Sequence, residues 1–257
     1  MRQAITMLTA LLVPLISQAA VIQTARVALI DEDTWFLVDL DNTLFEAKQA
    51  FGHIHWFYDE VDLRMQRGMT RDEAFLDAYP NWIKAQQICP VKPLEEEFVT
   101  SLFDLQQKGI VVMGLTNRHP CAVPFTKRQV GSLGIDLTAT APAKHAFCVP
   151  AENPTLFSDG VLFCSDYNLK GDVFLSLLTL IGQCPKKVVF IDDRIRNVEE
   201  VEEKLSQYGI ECTGVHYTAY EHVAPVYSRE LANYQAKFLE QILSNEAAAL
   251  LLHHGLE

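Results

Sequence analysis

The fold of this chain is decided by residues 35–43, which read Trp-Phe-Leu-Val-Asp-Leu-Asp-Asn-Thr. The apolar run at its start, rich in aromatic and β-branched residues, predicts a buried β-strand. Two carboxylates, Asp39 and Asp41, follow with one residue between them. Carboxylates this close at the end of an apolar strand repel each other unless a cation or a proton lies between them. Mg²⁺ suits this place because it prefers carboxylate and carbonyl oxygens, although a simple turn capped by the Asp side chains gives the same pattern.

Outward from this stretch, short apolar runs alternate with helical patterns along the chain. Residues 109–115, 187–191 and 211–217 predict further strands, and helices are predicted between them from apolar residues at helical spacing. This alternation is typical of a parallel sheet with helices on its faces. We therefore expect an α/β fold with a Rossmann-like parallel sheet.

Polar residues follow two of the other predicted strands. Thr116, Asn117 and Arg118 end the second strand, and the acidic pair Asp192-Asp193 ends a later one. In open α/β sheets, ligands bind at the carboxyl ends of the strands. A hydroxyl and an exposed backbone N–H at that edge suit a phosphoryl oxygen, although Thr-Asn after a strand also serves as an ordinary helix cap.

A lysine completes the set of candidate residues. Lys170 stands just before a predicted helix and supplies a cation for a phosphoryl group. Lys144 is a competing candidate for the same role, and either lysine alone reads equally as a solvated surface residue. Four elements in this order, each at a strand end or a helix start, nevertheless make coincidence a poor explanation.

Together these elements resemble the haloacid dehalogenase superfamily of phosphohydrolases. Its four motifs are matched in order by Asp39-Leu-Asp41-Asn-Thr43, by Thr116, by Lys170 and by Asp192-Asp193. The resemblance covers residues 33–220, and within the superfamily the chain is most similar to an uncharacterised group of exported bacterial proteins. It implies the superfamily core, a helical cap inserted after the first motif, and phosphatase chemistry, because an acid stands at Asp41.

The resemblance also implies a role for each residue. Asp39 would attack phosphorus and form an aspartyl-phosphate, and Asp41 would act as general acid and base. Mg²⁺ would be held by the carboxylates of Asp39 and Asp192, the backbone carbonyl of Asp41, and Asp193 directly or through water. Oxygens of the transferred phosphoryl group would be bound by Thr116, the Asn117 backbone N–H and Lys170. Arg118 is expected either to contact substrate or to pair with an acidic residue.

Two stretches interrupt the alternation of strands and helices. Residues 47–90 read as largely helical, with a capping box at Thr70-x-x-Glu73, and predict the cap. Residues 139–168 contain Ser158-Asp159-Gly160, which predicts a hairpin turn. The apolar stripe from Leu231 to Ile242 predicts a C-terminal helix docked on the sheet. Without repeats or linkers, we expect residues 20–257 to form one compact hydrolase domain.

The N-terminus predicts a signal peptide, residues 1–19. Arg2 precedes an apolar core from Ile5 to Ile16, and small residues follow near a cleavage point at Ala19 or Ala20. The alternative is a buried N-terminal helix, into which Pro14 fits poorly. We therefore expect export to a periplasm or beyond, with no membrane attachment after cleavage.

Six cysteines in an exported chain permit disulfides. If disulfides form, the pairs that we favour are Cys148–Cys164 and Cys184–Cys212. Several free buried thiols are an alternative of equal weight. His53 and His55 form a His-x-His pair, which we interpret as packing in the cap in preference to metal binding.

The net charge of −12 argues against a nucleic-acid partner, because phosphate backbones require a basic surface. The favoured function is an exported, Mg²⁺-dependent phosphatase that acts on a small phosphorylated substrate. The alternative is a non-catalytic binding or effector-like protein that retains the site. The sequence leaves the substrate and the oligomeric state open.

Overall fold

The computed structural model describes residue 31 and residues 33–220, 227–240 and 242–255. The predicted signal peptide lies outside these residues. The chain divides into two compact units, whereas the sequence led us to expect one. The core unit takes the described parts of Met1–Leu44, Leu94–Pro120 and Asp136–His222, and the second unit takes those of Phe45–Pro93, Cys121–Ile135 and Val223–Glu257.

In chain order the described strands are β1 (Thr34–Val38), β2 (Phe45–Ala47), β3 (Val91–Pro93), β4 (Val111–Thr116), β5 (Leu156–Ser158), β6 (Val161–Phe163), β7 (Lys187–Asp192) and β8 (Glu211–His216). The described α-helices are α1 (Ile54–Gln66), α2 (Arg71–Ile88), α3 (Glu96–Gln107), α4 (Val123–Ser132), α5 (Lys170–Ile181), α6 (Ile195–Gln207), α7 (Arg229–Gln235) and α8 (Asn245–His253). Short 3₁₀ turns lie at Ala50–Gly52 and Pro120–Ala122.

The core unit contains a six-stranded sheet in the order β5-β6-β4-β1-β7-β8. Strands β6, β4, β1, β7 and β8 are parallel, and β5 is antiparallel to β6. This confirms the predicted α/β fold with a Rossmann-like, mostly parallel sheet.

Strand β1 is buried along its whole length, as expected for a parallel strand whose sheet is covered on both faces. Successive side chains of a strand point to opposite faces. Accordingly, the ring of Trp35 contacts Phe174 of α5 edge-on at 6.2 Å, and the ring of Phe36 contacts Phe98 of α3 edge-on at 6.4 Å. These contacts fix β1 in the middle of the unit.

A tight hairpin joins β5 to β6 at one edge of the sheet. Asp159 and Gly160 both have positive φ, at 51° and 76°, which fits a two-residue turn of the type that matches the twist of the strands. A Cβ at position 160 would lie 2.1 Å from the carbonyl oxygen of Leu137, so this position requires glycine.

The second unit contains α1, α2, α4, α7 and α8 together with the short antiparallel pair β2–β3. The predicted cap, residues 47–90, falls entirely within it. The capping box that begins α2 is present: Thr70 accepts from the Glu73 backbone N–H, and the Glu73 carboxylate accepts from the Thr70 N–H.

The prediction that the C-terminal stripe docks on the sheet was wrong. Ala232 of α7 is buried in the second unit with Phe51 and Trp56, and Leu231 and Ile242 pack against the same cluster. An apolar stripe shows that a helix is buried on one face, but it does not identify the partner.

No cysteine of the chain forms a disulfide, and all six lie within the described residues. The predicted pairs Cys148–Cys164 and Cys184–Cys212 are therefore not formed. Sequence spacing carries no information on whether two Cβ atoms come within bonding range, and here Cys164 is buried whereas Cys148 is exposed. Among the described residues, no helix has both the length and the apolar character needed to cross a membrane.

Candidate active site

Three neighbouring strands of the core unit bring the candidate residues to one edge of the sheet. Strand β1 lies between β4 and β7, with Val38 in register with Gly114 and with Ile191. Because the three strands are parallel, their carboxyl ends coincide. Asp39, Thr116 and Asp192 therefore emerge side by side, and all three are buried.

Lys170 joins two of these residues through its ammonium group. Its Nζ donates to Asp39 Oδ1 at 2.6 Å, to Asp192 Oδ2 at 2.7 Å and to the Leu115 carbonyl at 2.8 Å. Its side chain is 2% exposed. Lys144, by contrast, is exposed and donates to the carbonyls of Thr138 and Ala139. Of the two candidate lysines, the structure thus brings Lys170 to the strand ends.

The acidic residues fit a divalent cation. Ligand atoms of Asp39, Asp192 and Asp193 all lie within 4.8 Å of one another, and this is the one such group in the described part of the chain. The three carboxylates carry three negative charges when ionised, and Lys170 offsets one of them. Hard oxygen donors with a remaining double negative charge match Mg²⁺ in both chemistry and charge.

Burial and mutual repulsion raise the pKa values of these acids. Burial, followed by the charges of Asp192 and Asp193, raises the pKa of Asp39 to about 8 against the opposing effect of Lys170. Burial and Asp192 raise the pKa of Asp193 to about 6. Burial by itself would lower the pKa of Lys170, but Asp39 and Asp192 together raise it above the ordinary lysine value. A cation in this cluster would favour the ionised acids.

Neutral donors hold the carboxylates of Asp39 and Asp192 in place. Thr43 donates its hydroxyl to Asp39 Oδ2 at 3.2 Å and accepts from the Asp193 backbone N–H at 3.0 Å. Asn197 Nδ2 donates to the Asp192 carboxylate and lies 3.0 Å from both of its oxygens. Such contacts fix the direction in which each carboxylate points.

Arg118 pairs with Asp41. Its Nε donates to Asp41 Oδ2 at 2.8 Å and its Nη2 to Asp41 Oδ1 at 2.7 Å, a bidentate geometry that restricts the carboxylate strongly. The Arg118 side chain is 8% exposed, and that of Asp41 is 41% exposed. Of the two alternatives left open by the sequence, the structure has the pairing with an acid, and that acid is the expected general acid and base.

The remaining candidates on β4 offer groups for an anion. Thr116 accepts from the Arg118 backbone N–H at 3.2 Å, which leaves its hydroxyl hydrogen available to a ligand. The backbone N–H of Asn117 is the other candidate donor, whereas its buried side-chain Oδ1 is an acceptor and has no hydrogen-bond partner among the described residues. Buried polar atoms are rarely left unsatisfied, and those that are often belong to binding sites.

Sequence reasoning missed Asp166, whose charge interacts with those of Asp41 and Arg194. Its neighbours Ser165 and Tyr167 both have left-handed backbones, with φ of 63° and 59°. Non-glycine residues in this conformation are strained, and such strain concentrates at functional sites. The sequence feature that could have identified Asp166 was its position directly after the end of β6, a strand that is parallel to β4.

The paired histidines His53 and His55 lie in the second unit. His53 is buried, accepts from the His55 backbone N–H through Nδ1, and stacks on Tyr227 with ring centroids 5.2 Å apart. The group of potential metal ligands among the described residues includes neither histidine.

Comparisons with known proteins place the chain among bacterial relatives without an assigned activity. A protein of Chlamydia pneumoniae named "Putative outer membrane protein" is 33% identical over 229 residues, which are 88% of this chain and 85% of that relative. A protein of the same name from Chlamydia muridarum is 31% identical over 224 residues, 87% of this chain and 84% of the relative.

Two solved structures are similar at low identity. One is a haloacid dehalogenase-like hydrolase family protein from Streptococcus pneumoniae, with a TM-score of 0.46, 15% identity, and coverage of 76% of this chain and 92% of that chain. The other is a HAD-superfamily hydrolase of subfamily IA from Geobacter sulfurreducens, with a TM-score of 0.37, 14% identity, and coverage of 72% and 87%.

A family match covers most of the chain. The family described as "Protein of unknown function (DUF2608)" matches residues 17–249, which include every candidate site residue named above. The chain therefore belongs to the DUF2608 family.

Proposed function

We propose that this protein is a Mg²⁺-dependent phosphohydrolase that cleaves a small phosphomonoester through an aspartyl-phosphate on Asp39. One observation carries the proposal: the ammonium of Lys170 contacts both Asp39 and Asp192, and Asp193 completes an acidic group within 4.8 Å. A structural ion pair between Lys170 and two buried acids has little need of a third acid beside it. A nucleophile beside a cation site and a fixed positive charge does need one.

Asp39 is the nucleophile in this proposal. One of its carboxylate oxygens forms a bond to phosphorus while the bond from phosphorus to the ester oxygen breaks, and the ester oxygen leaves with the electron pair. Lys170 orients the attacking carboxylate through Oδ1, and Thr43 does so through Oδ2. Such orientation lowers the entropic part of the barrier.

Asp41 is the general acid and base in this proposal. It gives a proton to the departing ester oxygen and then accepts one from the water that attacks the aspartyl-phosphate, which returns Asp39 as a carboxylate. The bidentate contact with Arg118 holds the Asp41 carboxyl in one orientation. Thr116, Lys170 and the Asn117 backbone N–H are proposed to bind the oxygens of the phosphoryl group, where charge accumulates in the transition state.

Asp39, Asp192, Asp193 and the backbone carbonyl of Asp41 would hold Mg²⁺, which when bound offsets the repulsion between the nucleophile and the phosphate. The neutral donors Thr43 and Asn197 keep the carboxylates oriented for this role.

The test is hydrolysis of p-nitrophenyl phosphate by the mature chain, with Mg²⁺ and with EDTA. We expect turnover that requires Mg²⁺ and falls by at least about 10³-fold in Asp39→Asn, because the substitution removes the nucleophile and keeps the shape. Asp104→Asn, at an exposed position of α3, is the matched control and should behave as wild type. Tight binding of inorganic phosphate without any turnover would favour the non-catalytic alternative.

We further propose that the protein is exported, as the N-terminal sequence predicts. Relatives named as outer membrane proteins support this proposal. Mass spectrometry of the mature protein from its native cells should find an N-terminus near Ala20. An intact N-terminus at Met1 would contradict the proposal.

A further inference from the structure

Helix α6 contacts both the acidic pair and the helix that carries Lys170. Asn197 and Glu200 are three residues apart and so share one face of α6. Asn197 donates to Asp192, whereas Glu200 accepts from the backbone of Gly171, the residue after Lys170. A single helix thus contacts the elements on either side of the ion pair between Lys170 and Asp192.

The contact made by Glu200 gives α5 an N-terminal side-chain cap, which the N-cap residue of the helix does not provide. Leu169 is the N-cap of α5 and provides no side-chain hydrogen bond to the helix. The first N–H groups of a helix have no partner within the helix itself. Both carboxylate oxygens of Glu200 accept from the Gly171 N–H, at 3.2 and 3.1 Å. A carboxylate is favourable there because the positive end of the helix dipole lies at the N-terminus.

Gly171 makes this close approach possible. A Cβ at this position would lie 2.8 Å from Glu200 Oε1 and 2.8 Å from Lys204 Cβ, both far shorter than an ordinary contact. Any other residue would push α6 away from the first turn of α5. The pair Lys170-Gly171 therefore combines the cation with the one residue type that lets a neighbouring carboxylate reach the adjacent main chain.

The position of the Lys170 ammonium depends on this turn. Its three contacts, with Asp39, Asp192 and the Leu115 carbonyl, lie between 2.6 and 2.8 Å, so a small shift of the α5 backbone would disturb this set of distances. Displacements of about 1 Å at catalytic groups can cost on the order of a hundredfold in rate.

We propose that Glu200 is a positioning residue: by capping the first turn of α5, it holds the Lys170 ammonium between Asp39 and Asp192. The structural part of this proposal stands by itself, and its kinetic consequence rests on the proposed function. Glu200 touches no reacting atom, so its effect reaches the chemistry only through Lys170.

The variants are Glu200→Ala, which removes the cap, and Glu200→Gln, whose amide oxygen still accepts from the Gly171 N–H. Glu203→Ala is the matched control, since Glu203 is an exposed glutamate of the same helix. With p-nitrophenyl phosphate and Mg²⁺, we expect kcat of Glu200→Ala to fall about tenfold to a hundredfold, with KM changing less than about threefold. Glu200→Gln should recover most of the lost kcat, and Glu203→Ala should retain all of it.

A second readout does not require turnover. The Lys170 ammonium is buried and hydrogen-bonded, so its ¹⁵N–¹H signal should be visible by NMR and be identified by its absence in Lys170→Met. We expect Glu200→Ala to broaden or lose this signal, whereas Glu200→Gln and Glu203→Ala keep it. Loss of the signal in a protein without any phosphatase activity would retain the positioning role and overturn the proposed function.

The proposal on Glu200 is overturned if Glu200→Ala keeps both the Lys170 signal and the wild-type kcat. A fall in thermal stability with neither readout changed would also overturn it, because Glu200 would then contribute only to the packing of α6 on α5.

Discussion

A charged cluster of buried polar side chains in the core unit contrasts with a neutral one in the second unit, which also buries Glu46 in an ion pair with the partly exposed Lys92. In the core unit, buried charges meet at the strand ends, where Lys170 contacts Asp39 and Asp192. In the second unit, neutral amides bond to main-chain groups: Gln235 accepts from the Phe51 N–H at 3.0 Å, and Asn245 accepts from the Ala50 N–H at 3.1 Å. Buried charges are costly and tend to mark functional sites, whereas neutral amide contacts satisfy the backbone at a lower cost.

Burial shifts the pKa of an ionisable group toward its neutral form in both units. It raises the pKa of Asp39 to about 8 in the core unit. In the second unit, burial, followed by the charge of His55, lowers the pKa of His53 to about 4. The same physical cause therefore gives an acid and a base opposite shifts, and the acid has the buried ammonium of Lys170 beside it.

The largest effect is expected from Lys170→Met. This substitution leaves the carboxylates of Asp39 and Asp192 buried without their ammonium partner, which costs about 3–5 kcal/mol of unfolding free energy when a buried pair is broken. Urea unfolding of the metal-free protein measures the loss.

Lys144→Met is the matched control, because Lys144 is exposed and donates to the carbonyl groups of Thr138 and Ala139. Its unfolding free energy should stay within about 0.5 kcal/mol of wild type. If the two substitutions lowered the unfolding free energy equally, the buried ion pair at the strand ends would contribute no more than an exposed lysine. The contrast between the units would then fail.

A smaller effect is expected from Gln235→Ala in the second unit. Gln235 is fully buried, accepts from Phe51 and donates to the Leu243 carbonyl and to Asn245. Removing it leaves neutral groups unsatisfied, at a cost of about 1–3 kcal/mol by urea unfolding.

The exposed Gln207→Ala provides the baseline for this substitution. A loss in Gln235→Ala as large as that in Lys170→Met would show that neutral and charged contacts contribute alike, against the interpretation given above.

The smallest effect is expected from pH acting on His53. Its folded pKa of about 4 lies below the ordinary value of 6.5, so between these values the unfolded chain binds more protons than the folded one. The stability that His53 contributes is complete above about pH 6.5 and declines as the pH falls toward 4, by roughly 1 kcal/mol after allowance for solvent screening.

His53→Asn keeps a side-chain acceptor at the N-cap of α1 and should remove this part of the pH dependence, measured by urea unfolding from pH 4 to 8. His55→Asn, at an exposed position, should retain most of it. A His53→Asn curve parallel to that of wild type would contradict the prediction.

The meeting of the strand-end residues could be predicted from the sequence. Asp39, Thr116 and Asp192 each follow an apolar run, and parallel strands bring their carboxyl ends together. The order of the motifs also indicated a lysine near the start of a later helix. Their chemical roles remain predictions, because geometry alone does not measure turnover.

Contacts that depend on how elements pack could not be predicted. The pairing of Arg118 with Asp41 requires side-chain directions that spacing does not contain. The contact between Glu200 and Gly171 requires the distance between two helices, for which a glycine is a weak signal. The C-terminal helices were assigned to the wrong partner for the same reason, since Gln235 and Asn245 gave no sign that they bond to residues 48–51.

The second unit is assembled from three stretches of the chain, the last of which follows every strand of the core sheet. During synthesis, the backbone N–H groups of Ala50 and Phe51 therefore lack their hydrogen-bond partners Asn245 and Gln235, which are made almost two hundred residues later. Since domains made of continuous stretches can fold as they emerge, this arrangement delays completion of the second unit until residues 235–245 have been made. A chain cut short near residue 225 would carry every motif of the strand ends and still lack the partners of its own early turn.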